Sequence, residues 1–162
     1  MVRKIIVVAA IVLALISPTV AKSALEIGSP PPELKLIEPY LGNRVIILNF
    51  FASFSKSCKG EAIFLQELSK KYGKKGLKVI GVSFDRKSKK LKQFIDENNL
   101  SYKIFHDKKL KTLKDYRILI LPTLFVIDKP GNIKNIYVDF DKNVSEALSK
   151  EIKDLLAPSK KI

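Results

Sequence analysis

The chain predicts one α/β domain, a mixed central sheet with helices on both faces. Three observations carry that expectation. Continuous apolar, β-branched runs alternate with segments whose apolar residues recur at helical spacing. Near the end, Asp128-Lys129-Pro130-Gly131-Asn132 joins two such runs as a hairpin, which adds an antiparallel strand to a set joined by crossovers. A length of 162 residues, 46% of them hydrophobic, supplies a real core for one domain.

Taken in order, Arg3 and Lys4 precede a twelve-residue apolar run over 5–16, closed by Ser17 and Pro18. Thr19-Val20-Ala21 then offers the small residues that a signal peptidase reads. The run is shorter than the about 20 apolar residues of a membrane span. Residues 1–21 are therefore expected to be a secretory signal, with an uncleaved N-terminal anchor as the rival. The product is expected to be exported, periplasmic or extracellular. Its domain is expected over 25–156, with a polar tail at 157–162.

After Pro30-Pro31-Pro32, the alternation Glu33-Leu34-Lys35-Leu36 predicts a short, half-buried N-terminal strand. Gly42-Asn43 is a turn. Residues 45–51, apolar except for Asn49, predict a central strand buried on both faces. A helix begins around Cys58, with Phe64, Leu65, Leu68 and Tyr72 on its apolar side and Gly73 and Gly76 near its end. Strands follow at 77–84 and 102–105, separated by a helix at 88–98 carrying Leu91, Phe94 and Ile95. A short helix at 111–116, strands at 123–127 and 133–138, and an amphipathic helix at 144–156 complete the domain.

Composition narrows the chemistry. One cysteine excludes an internal disulfide and a Cys-rich zinc site, and one histidine argues against a His-built metal centre. No metal and no cofactor is expected. The net charge is +14, yet the lysines are spread among acids and apolar residues in the manner of solvated helix faces. Only four basic residues are arginines, and export removes the chain from nucleic acid, so no nucleic-acid partner is expected. Loose association with an anionic membrane surface is compatible with the charge.

The reactive residues gather in 49–61, Asn-Phe-Phe-Ala-Ser-Phe-Ser-Lys-Ser-Cys-Lys-Gly-Glu, where the central strand opens into the first helix. A thiol in the first turn of a helix meets free N–H groups and the positive end of the dipole, which favour thiolate. Lys56 and Lys59 act in the same sense. Glu61, three residues after Cys58, shares its helix face and is placed to relay a proton, although its charge opposes thiolate formation.

These residues resemble the TlpA/ResA branch of the thioredoxin-fold proteins, the extracytoplasmic thiol–disulfide oxidoreductases. Asn49, Phe50, Ala52, Ser53, Cys58 and Glu61 fall in register with that family's motif, and Phe51 and Phe54 stand at its two tryptophan positions. Leu121-Pro122-Thr123 matches its active-site cis-proline, and the run continues into 124–128 and Gly131 as the family's does. The resemblance implies a thioredoxin fold and a substrate groove lined by Phe54, Ser55, Leu121, Pro122 and Thr123. It implies extracytoplasmic protein thiols or disulfides, or small thiols, as partners.

At one position the likeness fails. Ser55 stands where the family has its first, nucleophilic cysteine, so a dithiol cycle within one chain cannot occur. Three readings of Cys58 follow. It is a buried, inert thiol in a protein- or peptide-binding module. Or it is a monothiol that forms mixed disulfides, a Cys58-linked dimer among them, with Glu61 handling protons. Or, through Ser55-x-x-Cys58-x-x-Glu61, it is a single-cysteine peroxidase resembling the peroxiredoxins. His106 is read as a strand-end polar residue, and the Ser55/Ser57 pair lacks the context of a hydrolase nucleophile.

Overall fold

The computed structural model describes residues 25–158. The expected signal or anchor at 1–21 and the end of the tail, 159–162, lie outside them. Val45–Phe51 (β1) is buried at every position, as an apolar run in the middle of a sheet must be. Lys56–Tyr72 (α1) carries the chain over one face to Leu77–Ser83 (β2), which lies parallel to β1. Ser88–Glu97 (α2) crosses to Lys103–His106 (β3), parallel to β2 at the edge of the sheet.

Lys111–Asp115 (α3) leads to Thr123–Ile127 (β4), which returns on the other side of β1 as an antiparallel strand. The Pro130-Gly131 turn, with Gly131 at φ +101°, delivers the antiparallel Ile133–Val138 (β5), and Lys142–Leu156 (α4) closes the chain. The sheet order is β3-β2-β1-β4-β5.

Side chains alternate across β1 and separate two cores. Val45, Ile47 and Phe51 pack with residues of α1, α2 and α4, including Leu65, Phe94 and Leu148. Ile46, Leu48 and Phe50 pack with Phe84, Tyr116, Phe125 and Ile37 beneath α3 and the N-terminal segment. This is the mixed sheet with helices on both faces that the sequence predicts, and strands β1, β4 and β5 have the predicted bounds.

One element differs. Residues 33–36 form no strand. The prolines at 30–32 remove N–H donors just before this stretch, and the chain turns at 34–37 instead of running on extended. Pairing occurs earlier instead, where Gly28 N donates to Ile133 O at 2.7 Å and Ile133 N donates to Ser29 O at 2.8 Å. The Leu34/Leu36 alternation reports half-burial against the second core, and Ile37 N turns back to Leu34 O at 2.9 Å.

Candidate functional site

Two chain segments meet at the carboxyl end of β1. The register Phe50↔Thr123 sets the start of β4 beside the end of β1, so Ser53–Ser55 and Leu121–Thr123 share one end of the sheet. Ser55 N donates to Ala52 O at 3.2 Å, and this turn makes Ser55 the N-cap of α1. Its Oγ accepts from Cys58 N at 3.4 Å, meeting one of the donors that a helix start leaves free, and lies 3.2 Å from Ser57 Oγ.

The loop is held from β2 as well. Buried Asp85 accepts from Ser53 N at 3.1 Å, from Ser53 Oγ at 2.6 Å and from Ser83 Oγ at 2.7 Å. Across the site, the Leu121–Pro122 peptide is cis, Pro122 O accepts from Asp139 N at 2.9 Å, and Thr123 Oγ1 donates to Ile120 O at 2.7 Å.

The sequence-predicted residues fall into two sets. Cys58 and Glu61 are fully buried, and Pro122 and Thr123 are buried beside the end of β1. Ser55 and Leu121 are half-buried, and Phe54 is 82% exposed. The exposed rim continues on the cis-proline loop with Leu119 at 94% and Ile120 at 55%. Phe54 is thus an exposed neighbour of the helix start, while the thiol lies inside the core.

Burial decides the electrostatics. Desolvation pushes the Cys58 thiol up; the Ser55 and Ala52 hydrogen bonds pull it down, and the carboxylates of Glu61 and Asp139 add to the rise. Burial thus works against the thiolate that the start of a helix favours, and the net direction for Cys58 is upward. Lys56 and Lys59 are exposed, where water screens them.

Glu61 is pushed up to about 8 by desolvation, against a lowering hydrogen bond from Asn49 and with a further rise from Asp139. Its carboxyl is consequently protonated at neutral pH and able to donate. Asn49 Nδ2 donates to Glu61 Oε2, whereas Asn49 Oδ1, Glu61 Oε1 and Tyr102 OH are buried without a partner.

Asp85, Tyr102 and Asp139 belong to this arrangement and were not among the predicted site residues. Asp85 had a detectable mark, an acid directly after the apolar run of β2. Tyr102 reads from sequence as the start of a strand, and Asp139 follows β5 with no local pattern. His106 ends β3 as expected, its Nε2 2.5 Å from Asp85 O and its Nδ1 3.4 Å from Ser88 Oγ.

Residues 33–136 match the AhpC/TSA family. The chain belongs to the AhpC/TSA family. Within it, the chain is similar to the thiol-disulfide oxidoreductase ResA. It is 32% identical over 120 residues to the ResA of Bacillus cereus strain ZK / E33L, an alignment covering 69% of each chain. The ResA of Oceanobacillus iheyensis is 34% identical over 96 residues, 59% of this chain and 50% of that relative. The matched region thus spans about half the length of the Oceanobacillus iheyensis relative.

A Chlorobium tepidum protein assigned as a thiol:disulfide interchange protein, DsbE, superimposes with a TM-score of 0.77 at 25% identity, covering 83% of this chain and all of that one. The ResA-like thioredoxin fold is thereby established for this AhpC/TSA member.

Proposed function

We propose that this is an exported thiol–disulfide oxidoreductase relative of the ResA type, working at most as a monothiol through Cys58. The observation that carries the reading is the position of Cys58 in the first turn of α1, three residues before a protonated Glu61 and at the sheet end that holds cis Pro122. The names of the similar proteins support a protein thiol or disulfide as partner. Export rests on the charged, apolar and small-residue order of 1–21, and the domain on the cores that run from Ile37 to Ile152.

The chemistry has two steps. The Cys58 thiolate attacks one sulfur of an external disulfide, the S–S bond breaks, and the leaving sulfur departs as a thiolate that takes a proton. A second external thiolate then attacks the substrate sulfur of the mixed disulfide and returns Cys58 as thiolate. Glu61 supplies the first proton, and the second external thiol hands its own proton to Glu61 as it becomes the attacking thiolate. Because Cys58 is buried, the first step requires the start of α1 to open.

Intact mass after incubation with oxidised glutathione tests this reading. The expected result is one reducible adduct per chain, formed far more slowly than on the unfolded protein, faster as pH rises, and absent in Cys58→Ser. Absence of an adduct on the folded chain would overturn it and leave the exposed rim at Phe54, Leu119 and Ile120 as a peptide-binding surface.

A further inference from the structure

A second concavity lies on the other face, where α3 and the N-terminal segment meet the edge strand. It is a cavity of about 990 Å³ whose lining includes Phe105 and Leu34. Phe105 is 44% exposed, because β3 is an edge strand and its partner in the register, Val82, belongs to the core beneath α3. An aromatic ring left open to water in the lining of a concavity is a surface that an apolar group would cover.

The rim is basic. Lys35, Lys108, Lys109, Lys111 and Arg117 line the cavity against Glu33, Asp107 and Asp115. Asp107 is already turned inward, accepting from Thr112 N at 2.7 Å and Thr112 Oγ1 at 2.6 Å, which leaves an excess of cations at the mouth. The walls are fixed. Tyr116 OH donates to Pro32 O at 2.8 Å and pins the N-terminal wall. Leu110 at φ 53° and Arg117 at φ 49° hold both ends of α3 in the left-handed region, which non-glycine residues keep only where their surroundings impose it.

We propose that this cavity binds a small organic anion with an aromatic or aliphatic body, the body resting on Phe105 and Leu34 and the acid group held at the lysine and Arg117 rim. A volume in the range of small-molecule sites and fixed walls favour such a ligand over an extended peptide. The proposal is independent of the chemistry at Cys58.

The test uses 3-phenylpropionate on the full chain, followed by amide chemical shifts and calorimetry, with 3-phenylpropanol as the uncharged analogue and propionate as the acid without a body. The expected result is saturable binding of phenylpropionate alone, with shifts confined to 31–35 and 105–117. Lys108→Glu with Lys111→Glu is expected to weaken it about tenfold, the factor for one lost charge-assisted hydrogen bond. The same charge change on α4, Lys150→Glu with Lys153→Glu, is expected to leave it unchanged. Equal binding of the alcohol, equal weakening by the α4 pair, shifts centred on Phe54 and Leu119, or no saturation at all would each overturn the proposal.

Discussion

On one face of β1, Phe50 meets Phe84, Tyr116 and Phe125 at ring separations of 5.0–5.9 Å, and Tyr116 OH donates to Pro32 O. On the opposite face the same strand turns Asn49 toward Glu61, in a region that also buries Cys58 and Tyr102 and leaves three polar atoms without partners. Both faces are buried. The first gains from its burial, and the second carries a cost that hydrogen bonding does not offset. That cost is concentrated at the start of α1. The contrast separates residues that hold the fold from residues that hold the site.

The sharpest break of this contrast is Phe50→Ala, which removes three ring contacts and opens a void in the satisfied core. It should cost about 3–5 kcal/mol in urea unfolding, with Cys58 still protected in the remaining folded fraction.

Next comes the pH dependence of the unsatisfied face. Glu61 titrates near about 8 when folded and an unfolded glutamate near about 4.3, so between those values the folded state holds a proton that the unfolded state has lost. Glu61 therefore stabilises the fold least at high pH: its contribution falls as pH rises through the window and levels off above it. Glu61→Gln should remove that slope, the gap between variant and parent widening by a few kcal/mol from acid to alkaline pH in denaturation curves.

Ser55→Ala removes the N-cap and leaves Cys58 N without its acceptor, with an expected loss of about 1 kcal/mol and faster alkylation of Cys58. The smallest effect is the most discriminating. Tyr116→Phe loses a made hydrogen bond and should cost about 1 kcal/mol, whereas Tyr102→Phe deletes a hydroxyl that has no partner and should be neutral or stabilising. Equal losses from both would erase the distinction between the faces.

The strands were legible where the signal is local. Residues 45–51 are an apolar run interrupted only by Asn49, and Pro130-Gly131 fixes the hairpin, so β1, β4 and β5 could be bounded from the chain alone. Residues 33–36 misled because alternation records a half-buried face and says nothing about whether a neighbouring strand can accept the N–H groups.

At the site, Cys58, Glu61 and cis Pro122 stood out as residue types in a spaced motif. The state of the thiol did not, since the dipole acts within one helix turn while the desolvation that pushes the thiol up comes from the whole core packed around Cys58. Tyr102 and Asp139 reach the cluster only through tertiary contacts, which no spacing encodes.

The clamp from Asp85 has a consequence for how the rim would meet a partner. Ser53 is fastened to β2 and Ser55 to α1, so Phe54 is the single residue between two anchored neighbours. Its ring projects into water from a backbone with almost no freedom left to lose. Most exposed aromatic side chains surrender loop as well as side-chain motion when they are covered, and association is weakened accordingly. Here the hydrogen bonds on either side restrict that motion in the free protein, so the cost of contact falls mainly on the two torsions of the phenyl group.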